Sequence, residues 1–125
     1  MVARGRDLAG VLMRPEPDYT YRATILRVVD GDTCHVEIDL GLDVRVRTTL
    51  RLAGINAPEL PTDAGKAAKV FLDTLLASGE VLVRTVKDRR EKYGRYLGTL
   101  YVYPAEGPAL DANATMVSSG HAVAS

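Results

Sequence analysis

The sequence predicts an α+β fold in which a five-stranded β-barrel with Greek-key connections carries two helices. Three observations support this prediction. Residues 20–52 contain three β-rich segments separated by short turns, a helical pattern follows over residues 62–79, and two further strand segments precede a short final helix. The predicted order of elements is therefore β-β-β-α-β-β-α.

The first three strands are predicted over residues 20–29, 33–40 and 43–52. In the second strand, the apolar residues that alternate with polar neighbours are Cys34, Val36 and Ile38. This period of two is typical of a half-buried strand, whose successive side chains point to opposite faces. Because the connecting segments are short, the three strands are predicted to form an antiparallel meander.

A helix is predicted next, with Thr62 as its N-cap and Gly79 as its C-terminal stop. Its predicted apolar face consists of Ala67, Val70, Phe71, Thr74 and Leu75. The remaining predicted elements are a strand over 80–86, a charged loop over 87–95, a strand over 96–103 and a helix over 110–119. Five short strands with a helix between the third and the fourth match a barrel of the OB type.

The amino-acid composition says more about the cellular compartment of the protein than about its binding partner. Sixteen basic residues balance sixteen acidic ones among the 125 residues, so net charge indicates no polyanionic partner. The lone Cys34 excludes an internal disulfide, and no apolar run approaches the roughly 20 residues of a membrane span. We therefore expect a cytoplasmic protein with no membrane partner, in which a polar leader over 1–18 precedes one domain over 19–125.

Two polar segments flank the predicted meander. Residues 30–33 (DGDT) leave the first strand and residues 56–59 (NAPE) follow the third. Because the strands alternate in direction, both segments lie at the same end of the sheet, where Asp32, Asn56 and Glu59 can converge. Carboxylate and amide oxygens suit a hard cation such as Ca²⁺. The alternative interpretation of each segment alone is an ordinary turn, since Asp-Gly is a common turn pair.

Basic residues point to a phosphate. Arg51 ends the third predicted strand, and residues 84–95 contain six basic and two acidic side chains. Such a local excess of positive charge on a neutral chain is typical of a surface that faces phosphates, and arginine binds phosphate with two parallel hydrogen bonds. A solvated charged loop is the alternative.

These segments together resemble the staphylococcal nuclease (thermonuclease-like) family. The matching segments are residues 29–33 (VDGDT), 51–59 (RLAGINAPE), 92–95 (KYGR) and 113–120 (NATMVSSG), in which the family's Asn opens a helix that closes with Gly. They occur in the family's order and span most of the chain. The resemblance implies an OB-type barrel that cleaves DNA and RNA with calcium.

The resemblance also implies a calcium site. Asp32 would be a direct ligand, and Asn56 stands where the family usually has a second ligand aspartate. Ala57 matches a position that contributes only its backbone carbonyl. Because Asn56 is neutral, we expect a site that binds calcium more weakly than one with two carboxylates.

The catalytic residues implied by the resemblance are Arg51, Glu59 and Arg95. Glu59 matches the carboxylate that orients or deprotonates the attacking water, and the two arginines match those that bind the phosphate and stabilise its transition state. Lys92 and Tyr93 match residues that contact a neighbouring phosphate.

The function predicted from the sequence is a Ca²⁺-dependent nuclease that cleaves single-stranded or breathing DNA, and also RNA, with little sequence specificity. A catalytically silent nucleic-acid-binding OB module is the first alternative, and a protein-interaction domain is the second. The presence of Arg51, Glu59 and Arg95 together with Asp32 favours catalysis, because a binding module has no use for the Glu59 carboxylate, which repels phosphate. The neutral Asn56 is the one feature that favours the silent module. Tyr96, Tyr101 and Tyr103 are interpreted as strand packing, and base stacking by one of them is left open.

Overall fold

The computed structural model describes residues 14–90 and 92–125, which form eight strands and two helices in this part of the chain. The elements in chain order are β1 (Thr20–Asp30), β2 (Thr33–Gly41), β3 (Val44–Leu52), β4 (Ile55–Asn56), α1 (Asp63–Leu76), β5 (Gly79–Arg90), β6 (Tyr96–Pro104), β7 (Leu110–Asp111), α2 (Ala112–Ser118) and β8 (Val123–Ala124). All seven predicted helices and strands are present, with three two-residue strands in addition.

Five long strands close into a barrel. The sheet order is β3-β2-β1-β5-β6-β7, and β3 also pairs with β6 in parallel, which joins the two ends of the five-stranded sheet. The other pairings between these long strands are antiparallel, including the predicted β1-β2-β3 meander. The predicted fold class, a five-stranded barrel with two helices, is confirmed.

The barrel interior is filled by the alternating apolar residues of β2 and their counterparts on the other strands. Cys34 and Val36 have no exposed surface, and Ile38 is 5% exposed. Leu50, Leu52, Val83, Leu100 and Val102 complete the fully buried aliphatic set from β3, β5 and β6. The period of two therefore identified the inward face of β2 correctly.

Helix α1 begins where predicted, since Thr62 Oγ1 accepts a hydrogen bond from the Gly65 amide. The last helical residue is Leu76 and the C-cap is Ala77, so the helix ends before the predicted stop at Gly79. Gly79 instead begins β5, where its Cα lies against the Tyr103 carbonyl.

The predicted apolar face of α1 is right in part: Phe71 and Leu75 pack against the core, but Val70 is 65% exposed, and the fully buried positions are Gly65, Ala68, Leu72 and Leu76. Leu72 and Leu76 supply apolar contacts with the core, while the small Ala68 lets the helix approach Gly31 closely.

Two further boundaries differ from the prediction. Strand β5 continues to Arg90, so the predicted loop over 87–95 is shorter than expected. Helix α2 starts at Ala112 instead of residue 110, because Leu110 and Asp111 pair with β6 before Asp111 caps the helix. The helix closes before Gly120, whose positive φ of 82° suits glycine, as predicted.

The predicted leader over 1–18 lies largely outside the described residues, and residues 14–19 carry neither helix nor strand. The division at residue 19 stays a prediction. Neither described helix has the length and apolar character needed to cross a membrane.

Candidate active site

The turn between β1 and β2 is shaped by its own aspartates. The Asp30 carboxylate accepts a hydrogen bond from the Asp32 amide at 3.1 Å, which is the local bond of an Asx turn. Burial, followed by the hydrogen bond and charge of the nearby Asp32 carboxyl, raises the pKa of Asp30 above its usual value of 3.8. The turn thus holds two carboxyl groups side by side before any cation is considered.

The Asp32 carboxylate is directed into the protein. Its Oδ2 accepts the Ala57 amide at 2.8 Å, and its Oδ1 accepts the Thr33 hydroxyl at 3.0 Å. The side chain is 12% exposed. The bond to Ala57 joins the two polar segments, residues 30–33 and 56–59, at the end of the sheet where the order of strands places them.

Arg51 completes this cluster. Its Nη2 lies 3.3 Å from Asp32 Oδ2 and donates to Asn56 Oδ1 at 2.6 Å, while Nη1 donates to the Leu52 carbonyl at 2.8 Å. The strand register brings Arg51 here, because Arg51 is the β3 partner of Thr33 in β2. A guanidinium bonded to three acceptors, with a side chain only 15% exposed, has a fixed orientation.

Gly31 allows the acidic turn to approach its neighbours. A Cβ atom at this position would lie 2.6 Å from the Ala57 Cβ and 2.7 Å from the Ala68 Cβ, distances that packed atoms do not adopt. Glycine therefore lets the turn, the loop after β4 and helix α1 meet at one point. The sequence motif contained this glycine, but its packing role was not predicted.

Thr33 links the acidic cluster to the second arginine. Its hydroxyl donates to Asp32 and accepts from Arg95 Nη1 at 3.4 Å. Thr33 is 2% exposed, and no role was predicted for it from the sequence. The sequence did contain a signal for this position. Thr33 directly follows Asp32 and lies on the same face of β2 as His35, and its partner on β3, Arg51, shares that face.

The basic turn before β6 is more open. Tyr93 is 71% exposed, and two cations lie against its ring: Lys92 Nζ at 5.0 Å and the Arg95 guanidinium carbon at 5.3 Å from the ring centre. The structure thus brings Lys92, Tyr93 and Arg95 together. The structure does not describe the side chains of residues 87–89 or any part of residue 91. The net charge of the whole segment 84–95 is therefore known from the sequence only.

Glu59 is fixed by its main chain. Its carbonyl accepts the Thr62 amide at 3.2 Å and also the Thr62 hydroxyl, so the residue sits at the start of α1. Its side chain is exposed, and in the described part of the chain no hydrogen bond joins the Glu59 carboxylate to Asp32 or Arg51. The structure places Glu59 on the same loop as Asn56 and Ala57 and leaves its carboxylate open to solvent.

Asn113 is a structural residue of this region. Its amide nitrogen donates to the carbonyls of Ala53 and Gly98, and its oxygen accepts the Leu100 amide. It therefore lies inside α2 and ties this helix to β6 and to the loop after β3. The expectation that Asn113 opens the helix is wrong, because Asp111 is the N-cap.

In residues 14–90 and 92–125, no group of three His, Cys, Asp or Glu side chains is arranged to hold a metal ion. The three predicted cation ligands differ in kind: the Asp32 carboxylate, the Asn56 amide oxygen and the Ala57 carbonyl. All are hard oxygen donors of the type that calcium accepts, but among these three only Asp32 carries a charge.

A closed five-stranded barrel with an acidic turn and two arginines at one end defines a class of nuclease-like domain. The family model described as staphylococcal nuclease homologue matches residues 49–125. The chain belongs to this family, which confirms the assignment made from the sequence motifs.

Two similar proteins carry the name endonuclease. The chain is 36% identical over 98 residues to an "uncharacterized endonuclease" of Escherichia coli O157:H7, an alignment that covers 78% of this chain and 57% of the relative. It is 29% identical over 120 residues to endonuclease YhcR of Bacillus subtilis (strain 168), covering 86% of this chain and 9% of that protein. The chain thus spans somewhat more than half of the first relative and a small part of the second.

Proposed function

We propose that this chain is a Ca²⁺-dependent nuclease that hydrolyses phosphodiester bonds of DNA and RNA with little sequence specificity. One observation carries the proposal: the Asp32 carboxylate lies beside Arg51 and is joined through Thr33 to Arg95. A metal-ligating carboxylate between two arginines is an arrangement suited to a phosphate oxyanion. The endonuclease relatives support the same reaction class.

The proposed cation site consists of Asp32, Asn56 and the backbone carbonyl of Ala57. Asp32 Oδ1 and Asn56 Oδ1 each accept one hydrogen bond, and an oxygen of either kind has a second lone pair for a cation. When bound there, calcium would supply positive charge to the phosphate and lower the pKa of a coordinated water.

The protein's own groups divide the remaining work. Arg51 and Arg95 bind the phosphate oxygens and stabilise the charge that develops as the nucleophile attacks. Glu59, with its carboxylate open to solvent, orients the water and takes one of its protons. The new bond joins the water oxygen to phosphorus, the ester bond to the leaving oxygen breaks, and that oxygen takes a proton from solvent. Lys92 and Tyr93 contact a neighbouring phosphate.

All these contacts are to phosphate, and phosphate contacts carry no direct sequence information. We therefore propose little base preference and activity on single-stranded or breathing DNA, and on RNA. The buried Cys34 is consistent with a reducing compartment, and a cytoplasmic location is part of the proposal.

A catalytically silent nucleic-acid-binding module is the second candidate. Two observations favour it: Asn56 is neutral, and its oxygen bonds Arg51 at 2.6 Å, so Arg51 and a cation share one acceptor. Under this alternative the arginines bind phosphate without turnover.

The test is incubation of the purified chain with end-labelled single-stranded DNA, duplex DNA and single-stranded RNA, each with calcium. The proposal expects fragments from both single strands at many positions and slower cleavage of the duplex. Binding of all three without fragments would favour the silent module.

A further inference from the structure

The outer face of the sheet continues beyond the acidic cluster. Cys34 points into the barrel, so its neighbours in β2, Thr33 and His35, lie on the opposite, outer face. In the β2–β3 register, Thr33 stands opposite Arg51, and His35 stands opposite Thr49. Since paired residues of antiparallel strands share a face, the row that contains His35 lies directly beside the row that contains Arg51.

Arg27 adds β1 to this second row. It stands opposite His35 in the β1–β2 pairing, and a β-bulge interrupts the register between Ile25 and Arg27. Arg27 is exposed, whereas the next residue, Val28, is 4% exposed and belongs to the core. Bulges are frequent beside active sites, where they redirect a side chain. We refer to Arg27, His35 and Thr49 as the Arg27 row.

The ring of His35 is held in place by Thr49. The Thr49 hydroxyl and His35 Nδ1 share a hydrogen bond of 2.9 Å. When Nδ1 accepts this bond, Nε2 carries the hydrogen and is a donor. Within residues 14–90 and 92–125, Nε2 has no hydrogen-bond partner. A ring that is already fixed loses little conformational freedom when it bonds a ligand oxygen.

The charge of Arg27 is not neutralised by another residue that the structure describes. No ion pair or hydrogen bond joins its guanidinium to any of them. In the next row, Glu37 forms an ion pair of 3.1 Å with its β3 partner. On the other side, Asp32 forms its ion pair with Arg51, and Asp30 accepts the Asp32 amide. The positive charge of Arg27 is therefore available to an anion from solvent.

The distance between the two rows suits consecutive phosphates of one strand. Two residues along a β-strand advance by about 6.6 Å. Phosphates of one strand in a duplex are about 3.4 Å apart along the axis, and an unstacked strand extends to roughly twice this rise. A phosphate bound by Arg51 would thus leave the next phosphate within reach of Arg27 and His35.

From this arrangement we infer that the Arg27 row binds a backbone phosphate of the substrate strand, next to the phosphate held by Arg51. The inference rests on the proposed function for the identity of the ligand as nucleic acid. Lys92 and Tyr93 precede β6, which pairs with β3, whereas Arg27 lies on β1, beyond β2. The Arg27 row and the turn before β6 therefore flank Arg51 on opposite sides. The row contacts phosphate only, so it adds affinity without sequence preference.

The first test counts phosphate contacts through the salt dependence of binding. A labelled single-stranded oligothymidylate is bound in chelator at a series of salt concentrations and followed by fluorescence anisotropy. Each phosphate contact to a single strand contributes about 0.7 to the slope of log affinity against log salt concentration. Arg27→Gln is therefore expected to lower this slope by about 0.7 and to weaken binding roughly fivefold at about 0.1 M salt. An unchanged slope would overturn the inference.

The second test assigns the effect to the Arg27 row. The matched control is Arg22→Gln, which removes the same charge from the same face of β1, where Arg22 is 78% exposed and paired with Glu80 at 3.2 Å. This control should keep the parent's slope, and so should Arg27→Lys, which retains the charge. Circular dichroism shows that each variant is folded. Equal losses of slope in Arg27→Gln and Arg22→Gln would reveal a general charge effect and overturn the inference.

A competition experiment tests whether the ligand is a phosphate backbone. Unlabelled oligothymidylate is expected to displace the labelled strand at a lower concentration of charge than polyglutamate does. Equal displacement by the two polymers would show a surface for any polyanion and would overturn the assignment to phosphate.

The two proposals fail separately. Calcium-dependent cleavage together with an unchanged slope in Arg27→Gln would remove the Arg27 row and leave the nuclease. A slope that falls in Arg27→Gln alone, together with no cleavage of any strand by the parent, would remove the nuclease and leave the Arg27 row as part of a binding surface.

Discussion

The two sides of the candidate site are built in different ways. On the acidic side, the Asp32 side chain is 12% exposed and is held by a main-chain amide, a hydroxyl and a guanidinium. On the basic side, Tyr93 is 71% exposed on a turn, with Lys92 and Arg95 against its ring. The geometry of the acidic side is therefore fixed by contacts formed on folding, whereas the basic side is open to the substrate. Substitutions on the acidic side should lower the free energy of unfolding, and substitutions on the basic side should mainly lower activity.

The largest expected effect is on turnover. Glu59→Gln and Arg95→Ala should each lower the cleavage rate on the order of 10²–10⁴-fold, since one removes the general base and the other a transition-state donor. Both side chains lie outside the buried core, so the melting temperature should change little. Cleavage rates and thermal melts check this, with Glu106→Gln on an exposed turn as the charge-matched control. Near-parent activity in either variant would show that the substituted residue has no catalytic role.

Arg51 tests the contrast directly, because it is the arginine of the acidic side. Arg51→Ala should lose activity as Arg95→Ala does, and should also destabilise the fold by about 1.5–3 kcal/mol, since charge-assisted hydrogen bonds to Asp32 and Asn56 are lost. Denaturant unfolding of both alanine variants gives the comparison. Equal losses of stability in the two variants would show that the acidic side is no more fixed than the basic side.

Asn56→Asp sharpens the account of the cation site. A further carboxylate near Asp32 should tighten calcium binding, while repulsion between the carboxylates slightly destabilises the calcium-free protein, offset in part by Arg51. A ligand that binds only the folded state stabilises it, so the proposed calcium site predicts that calcium raises the melting temperature of the variant more than that of the parent. Melts across a calcium titration measure this.

Ala105→Asp adds the same charge on an exposed turn and controls for general electrostatics. It should show the parent's calcium response. A larger calcium shift in the parent than in Asn56→Asp would place Asn56 away from the cation and favour the silent binding module.

The smallest effect concerns Cys34, which follows Thr33 and points into the barrel interior. Burial raises the pKa of its thiol to about 12, from a reference value of 9.0. The folded state therefore keeps a proton that the unfolded state loses, and the free energy of unfolding should fall as pH rises from 9 to 12. A thiol reagent at pH 8 should label the native protein slowly and the unfolded protein fast. Equal labelling rates would contradict a closed barrel interior next to the acidic turn.

The strands were more predictable than the helix face. Cys34, Val36 and Ile38 alternate because a strand between a core and solvent has no other way to bury its apolar side chains. In α1 the predicted Val70 is exposed and Ala68 is fully buried. The reason is tertiary: Ala68 packs where Gly31 leaves space, and no property of the helix sequence alone encodes that contact.

The candidate site was predictable in position but not in contacts. The order of strands places residues 30–33 and 56–59 at one end of the barrel, and the Asp32–Ala57 bond confirms it. The bond from Arg51 to Asn56 and the Thr33 link to Arg95 depend on side-chain rotamers and on the β3–β6 closure. Those follow from packing of distant segments, which a local pattern does not encode. The catalytic roles stay predictions.

Cleavage of nucleic acid that depends on calcium is tested by a time course of a 5′-labelled single-stranded oligonucleotide with calcium, with excess chelator, and with chelator followed by calcium in excess. We expect fragments with calcium, none with chelator, and recovered cleavage after calcium is restored. Equal fragmentation in calcium and in chelator would contradict the metal assignment, and no fragments under any condition would contradict the nuclease itself.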